Sequence, residues 1–244
     1  KEAIGGRQRV GIRARWVFPV AAAPVADGVV TVADHRIEAV SRDGPKRIVD
    51  LGNVALLPGL INAHTHLEFS NLAAPIGQAG AGFVDWIRAV MENRRQSRAS
   101  RVESVVAGLA ESRRHGVGAL GEIAQPGWPE SPFLAGPGIT VFLELIAPTA
   151  QRVPLAIERA GEHLAAKKRP WQPGLSPHAP YTVHPSLLEA GIRLSASHRV
   201  PLAMHLAESA EEIEWLRSGR GPLANLLAGI EGFDAQDHPA GRRP

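Results

Sequence analysis

The sequence predicts an α/β fold in which parallel strands alternate with helices, and two observations carry this prediction. From about residue 54 onward, five short apolar runs are separated by segments whose apolar residues recur at helical spacing. Such an order implies parallel βαβ units. Histidines follow the carboxyl ends of several of these runs, where a (β/α)8 TIM-type barrel carries its chemistry. We therefore expect a barrel of this type, with about five βα units present.

The first 57 residues have a different pattern. Runs rich in β-branched residues at 29–32 and 37–40 are separated by turn-forming residues at 34–36. This alternation predicts a meander of hairpins. We place the domain boundary at its end, so that residues 1–57 form a β-rich portion and residues 58–244 form the barrel.

The elements of the barrel are predicted in chain order from the spacing of apolar residues. The first strand covers 55–57 and, after Pro58-Gly59, 60–64. The later strands are predicted at 117–123, 140–146, 174–178 and 200–205. Helices are predicted at 83–97, 101–115, 153–167, 185–198 and 209–217.

The composition of the 244 residues excludes several classes of protein. There is no Cys, which rules out disulfides and thiolate metal sites. No uninterrupted apolar run reaches about 18 residues, so we predict no membrane span. The net charge is +3 and basic residues form no stripe interleaved with aromatics, so we predict no nucleic-acid partner. No segment reads as a secretory signal, and we expect a cytoplasmic protein.

Three histidines suggest a metal site. His64 and His66 follow an apolar run, and residues two apart on an extended segment point to the same side. Their imidazoles can then converge on one ion such as Zn²⁺. An isolated His-x-His pair is often incidental, but here it ends what we predict to be a buried strand. His205 ends another apolar run and is the third candidate ligand.

Two further residues suit roles beside a metal. Glu208 lies three residues after His205, at the start of a predicted helix. It could exchange protons with a water at the metal, or merely favour the helix N-terminus. His178 closes the fourth strand in a Pro-rich turn, where it could hydrogen-bond to substrate or be a satisfied buried histidine. We favour proton transfer for Glu208 and substrate contact for His178.

The segments 58–66, 178–181 and 205–208 together resemble the amidohydrolase superfamily. The resemblance covers about residues 10–230 and is nearest to its deaminase and chlorohydrolase branch, with 64–70 similar to aminodeoxyfutalosine deaminases. It implies a single Zn²⁺, or another divalent metal such as Fe²⁺, and a proton-shuttling glutamate. The residues that match the metal ligands are His64, His66 and His205; Glu208 matches the shuttle, and His178 and Trp86 match substrate-binding positions.

The resemblance also implies an activity and an architecture. The expected reaction is hydrolytic deamination of a small purine-like or other N-heterocyclic substrate, and Arg94 and Arg95 could grip an acidic tail on it. Residues 1–57 match part of a small β-sandwich, and a homodimer is compatible with the family. A chlorohydrolase, a cyclic amide hydrolase, an inactive metal-binding fragment and a structural domain with incidental histidines remain alternatives.

The sequence departs from the family pattern after His205. The family places another His after strand six and a metal-binding Asp after strand eight, but only 39 residues follow His205. They cannot hold three more strands with their helices. We therefore expect a truncated chain that does not turn over substrate by itself.

Overall fold

The computed structural model of the protein describes residues 8–96, 100–128, 138–166 and 169–241. The chain divides into two compact units, Lys1–Leu60 and Ile61–Pro244. Within the described residues, no helix combines the length and the apolar character that crossing a membrane requires.

Unit 1 is a five-stranded mixed sheet. Its strands are β1 Val10–Val17, β2 Val25–Ala33, β3 Arg36–Ser41, β4 Ile48–Asp50 and β5 Ala55–Leu56. β1, β2 and β3 pair antiparallel, which confirms the predicted hairpins, and β4 and β5 both run parallel to β1. The second layer that a sandwich requires stays a prediction.

The prediction that residues 55–57 begin the first barrel strand is wrong. Ala55 and Leu56 pair with Trp16 and Val17 of β1. Pro58-Gly59 separates them from the next strand, because proline cannot donate to a ladder and glycine weakens an extended segment.

Unit 2 contains a four-stranded sheet in the order β6-β7-β8-β9. These strands are β6 Leu60–Thr65, β7 Val117–Ala124, β8 Ile139–Leu145 and β9 Gln172–Pro177. β7, β8 and β9 pair in parallel, so their carboxyl ends share one edge. The α/β class with a parallel sheet is therefore confirmed, whereas closure into an eight-stranded barrel stays a prediction.

Six helices of unit 2 are described. They are α1 Phe83–Gln96, α2 Arg101–Arg114, α3 Val153–Ala165, α4 Pro185–His198, α5 Ala210–Ser218 and α6 Pro222–Ala228. The first five match their predicted ranges within two residues, although the predicted ends at 97 and 167 lie outside the described residues. The side chains of Ser100, His184 and Ser209 cap α2, α4 and α5 by accepting backbone N–H bonds.

Apolar side chains fix these helices on the sheet. Leu187 of α4 is buried in one cluster with Leu143 of β8 and Leu175 of β9. A second cluster joins α2 to β7 and β8. β6 and β7 approach closely at Gly121, where a Cβ would collide with the carbonyl oxygen of Ala63.

Two details of the predicted strands are wrong. β6 is not buried: it lies at the sheet edge, where 76% of Ile61 is exposed. The predicted strand 200–205 is reduced to one parallel bridge, Leu175 to Leu202. Pro201 has no N–H to extend the ladder before the bridge, and Pro177 of β9 has none to extend it beyond the bridge.

Candidate active site

Four histidines gather at the carboxyl edge of the unit 2 sheet. His64 is the penultimate residue of β6 and His66 follows the strand. His178 follows β9, and His205 follows the bridged segment. The ring centre of His64 lies 5.3 Å from that of His66 and 4.7 Å from that of His205. His178 is 5.3 Å from His205 between ring centres, and its carbonyl accepts the N–H of His205 at 2.8 Å.

These separations suit a shared ion, although the ring nitrogens do not yet converge. With Zn–N bonds of about 2.0–2.1 Å, two imidazoles on one tetrahedral zinc have ring centres about 5 Å apart. Across the described ranges, no three His, Asp or Glu side chains already hold their donor atoms as ligands of one ion. Rotation about the broad χ2 torsion turns the nitrogens of an imidazole while its ring centre stays in place, so these ring positions are compatible with a shared ion.

The electrostatics of the rings favour metal binding. Burial is the main cause that lowers the pKa of His66 to about 4 and the pKa of His64 below its usual value. Both rings are therefore neutral at pH 7, and a neutral imidazole offers the lone pair that a metal ligand needs. Nδ1 of His66 is buried and makes no hydrogen bond of good geometry among the described residues, although a weaker contact of the ring with the backbone of Ile123 partly offsets the lowering of its pKa. A buried polar atom normally has a partner, and an ion would supply it.

Glu208 lies beside this cluster. Its Oε2 is 3.8 Å from Nδ1 of His205, and its Oε1 accepts a 2.6 Å hydrogen bond from the hydroxyl of Tyr181. Glu208 precedes Ser209, which caps α5, so it is not part of the helix itself. The carboxylate therefore faces the histidines with one oxygen, as a proton-transfer role requires.

The two predicted substrate residues differ in their surroundings. His178 is in the cluster, and burial is the main cause that lowers its pKa to about 3, so the ring is neutral. Its Nδ1 lies 2.7 Å from the hydroxyl of Thr182, while Nε2 is 3.9 Å from Glu144. Trp86 is on α1, is 44% exposed and stacks on Phe83 at 6.0 Å between ring centres. Its role in substrate binding stays a prediction.

Sequence analysis missed two buried carboxyl groups near the site. Both oxygens of Glu122 on β7 accept the N–H of Leu67, the residue after His66. Glu144 on β8 accepts a hydrogen bond from Gln125, and burial raises its pKa. The signal was available, because each is the single acidic residue inside an apolar strand.

The arginines that were expected to hold an acidic tail are paired within the chain. Nε and Nη2 of Arg94 lie 3.1 and 2.8 Å from Oε1 of Glu68, and Arg95 pairs with Glu92 at 3.3 Å. Arg94 also lies over the ring of Phe69. A carboxylate on a substrate would have to compete with these partners for either guanidinium.

A cavity of about 670 Å³ opens next to the histidine cluster. Its lining includes Glu68, Phe69, Arg94, Gln125 and Glu144. The histidines are not in its described lining, but Glu144 borders both the cavity and His178. A cavity of this size suits a small-molecule ligand.

Glu122 makes the stability of the fold depend on pH. Burial raises its pKa to about 9, so the folded protein holds a proton that the unfolded chain releases near the ordinary value of 4.5. Stability therefore falls as the pH rises from about 5 to 9, by at most about 1.4 kcal/mol per pH unit from this group. Glu122→Gln keeps the acceptor for Leu67 without the titration. Its free energy of unfolding should exceed that of the wild type increasingly from pH 5 to 9 in urea titrations.

The matched control for this prediction is Glu158→Gln, on the exposed side of α3. Its difference from the wild type should not change with pH. A Glu122→Gln difference that is likewise constant over pH 5–9 would contradict the prediction.

The sequence matches known proteins over most of its length. The profile of the amidohydrolase family matches residues 55–238. The chain is similar to aminodeoxyfutalosine deaminase of Deinococcus radiodurans, with 30% identity over 208 residues, 82% of this chain and 47% of that protein. It is also similar to adenosine deaminase of Helicobacter pylori, with 30% identity over 181 residues, 71% of this chain and 43% of that protein.

The fold of this chain is also similar to that of a solved deaminase structure. The crystal structure of Helicobacter pylori aminofutalosine deaminase in complex with methylthio-coformycin matches with a TM-score of 0.78 and 25% identity, over 93% of this chain and 58% of that one. The chain spans about half the length of the curated relatives it matches. The profile match covers the segment that carries the histidine cluster and Glu208. The chain belongs to the amidohydrolase family.

Proposed function

We propose that the protein is a metal-dependent hydrolase that removes the exocyclic amine of a purine-like N-heterocycle. The gathering of His64, His66 and His205 with Glu208 at one sheet edge carries this proposal. The similarity to two purine-nucleoside-type deaminases supports the choice of reaction. Because the chain spans about half of those relatives, the activity is proposed for the protein to which this chain contributes its site.

The three histidines would hold one divalent ion, and neutral imidazoles suit Zn²⁺ or Fe²⁺. When bound, such an ion lowers the pKa of water to about 7 and so supplies a nucleophile at neutral pH. Among the proposed ligands, His66 has a buried Nδ1, and burial lowers the pKa of its ring to about 4.

Glu208 would transfer a proton during the reaction, and His178 and Trp86 would hold the substrate. The water oxygen forms a bond to the ring carbon, its remaining proton passes to the exocyclic nitrogen, and the bond from the ring carbon to that nitrogen breaks, so that ammonia leaves. Oε2 of Glu208 is placed to accept the proton of the water and deliver it to the adjacent ring nitrogen. Nε2 of His178 would orient the heterocycle, and Trp86 would pack on it. The rest of the substrate would occupy the cavity beside Glu144.

The proposal includes the architecture on which this site depends. We propose that the parallel strands of unit 2 belong to a (β/α)8 barrel and that residues 1–57 contribute to a small β-sandwich. The edge position of β6 and the exposure of Ile61 support the barrel, because a closed barrel leaves no bare strand edge.

The test is an assay of the protein to which this chain contributes its site, loaded with Zn²⁺ or Fe²⁺, for release of ammonia from adenosine and aminodeoxyfutalosine. We expect metal-dependent release that a chelator abolishes. A chlorotriazine and a cyclic amide are assayed in parallel. Chloride release or ring opening without ammonia would replace deamination by the corresponding hydrolysis, and metal binding without any turnover would favour the inactive metal-binding alternative.

A further inference from the structure

We propose that Tyr181 is the positioning residue for Glu208, occupying one carboxylate oxygen and leaving the other for proton transfer. This inference rests on the proposed function, because it assigns Tyr181 a part in the step that Glu208 performs. Tyr181 does not touch the reacting atoms in this scheme. Its ring also packs edge-on against His178 at 5.7 Å between centres, a contact that Tyr181→Phe keeps.

The contact between the two side chains is short and buried. The hydroxyl of Tyr181 donates to Oε1 of Glu208 at 2.6 Å, a distance typical of a bond to a charged acceptor. The tyrosine is only 2% exposed and packs in a cluster with Val84, Trp215 and Leu223. Phe83 contacts its ring edge-on at 6.1 Å between centres. Its hydroxyl has therefore little freedom to leave Glu208.

The backbone of Glu208 is held by a second buried residue. Its N–H donates to Oε2 of Glu212 at 2.8 Å, and Glu212 is fully buried at the start of α5. The preceding residue, Ala207, has a φ of +57°, a conformation that a residue with a Cβ rarely adopts. Strained conformations persist where surrounding contacts over-determine them, often at functional sites. Tyr181 and Glu212 together supply such contacts.

The division of the two oxygens has a chemical consequence. Oε1 already accepts the hydrogen bond of the phenol. A proton from water would therefore be taken up by the free lone pairs of Oε2, which faces His205. Burial, followed by the bond to Glu208, raises the pKa of Tyr181 above its ordinary value. The phenol thus stays a donor throughout the working pH range. Proton transfer would therefore take place at Oε2, the carboxylate oxygen beside the histidines.

The first test uses the fact that Tyr181 is the single tyrosine of the chain. Labelling with [¹³Cζ]tyrosine gives one NMR signal that reports the hydrogen bond of its hydroxyl. We expect Glu208→Ala to shift this signal, and Glu208→Gln, which keeps an acceptor, to shift it less. Glu214→Ala, an exposed position on α5, is the matched control and should leave the signal in place. A signal unmoved by Glu208→Ala overturns the proposal.

The second test separates positioning from packing. Tyr181→Phe keeps the ring, so we expect unchanged metal binding and KM with kcat lowered by about 10- to 100-fold, the effect of one hydrogen bond to a charged group. In the Glu208→Gln background, Tyr181→Phe should not lower kcat any further, because the two residues act as one unit. A full additional loss in the double variant, or a change confined to KM, overturns the positioning role.

The two tests also separate this inference from the proposed function. If the wild-type protein releases no ammonia while Glu208→Ala still shifts the tyrosine signal, the proposed deamination is wrong and the positioning role falls with it, but the hydrogen bond stands. If ammonia is released and Glu208→Ala leaves the signal unmoved, deamination stands and the proposal for Tyr181 is wrong.

Discussion

Replacing Glu208 with Gln is expected to remove nearly all turnover while leaving metal binding unchanged. Oε2 of Glu208 lies 3.8 Å from the ring of His205, close to the proposed ion but separate from its three histidine ligands. A Gln of the same size can still accept from Tyr181, but it cannot take up and release a proton. General acid–base catalysis contributes typically about 10²–10⁴-fold, so kcat should fall by that factor with KM little changed.

Two measurements on the same preparations check this expectation. Steady-state ammonia release gives kcat, and atomic emission gives the metal content per chain. Glu214→Gln is the control, because Glu214 is exposed in the middle of α5, six residues after Glu208, and should be silent in both measurements. Loss of metal from Glu208→Gln would make Glu208 a ligand, and full activity would remove it from the mechanism.

The helices of unit 2 could be predicted from the sequence because their signals are local. Apolar residues at helical spacing and a capping side chain lie within one segment, as Ser100 and Val105 do for α2. α6 was missed because its seven residues are too few to establish a period. The strand at 200–205 is shorter than predicted because its extension in either direction needs a backbone N–H that Pro201 or Pro177 lacks.

The cluster of histidines could also be predicted, for a topological reason. Parallel strands bring their carboxyl ends to one edge, so residues far apart in sequence meet once the strand order is known. What surrounds the cluster could not be predicted in this way. The bond from Tyr181 to Glu208 spans 27 residues, and that from Leu67 to Glu122 spans 55. Neither has a local pattern that would indicate its partner.

His238 shows the same limit. The sequence around His238 indicates no role, because no apolar strand precedes it, yet its ring is fully buried. Its nitrogens lie 2.9 and 3.3 Å from the carbonyl oxygens of Pro148 and Pro180, which are 90 and 58 residues earlier. Phe233 stacks on the ring at 4.7 Å. A residue that ties two loops together is recognised only when the loops are seen side by side.

Replacing His66 with Ala is expected to weaken Zn²⁺ binding by more than about 100-fold. Replacing a residue that only orients a metal ligand already lowers metal affinity by about 10–100-fold, and His66 is proposed to be a ligand itself. Its ring is neutral at pH 7, and its buried Nδ1 lacks another partner among the described residues. The affinity is measured by competition with a chromophoric chelator, which does not depend on turnover.

Four histidines share the site, so the decisive comparison is between them. His64→Ala and His205→Ala should lower the affinity as His66→Ala does, whereas His178→Ala should change it only a few-fold, because His178 is assigned to the substrate. His198→Ala, on the exposed end of α4, is the control for adventitious binding and should have no effect. If His178→Ala loses the metal and one of the other three keeps it, the ligand set is wrong, since the ring of His178 lies as close to His205 as His66 lies to His64.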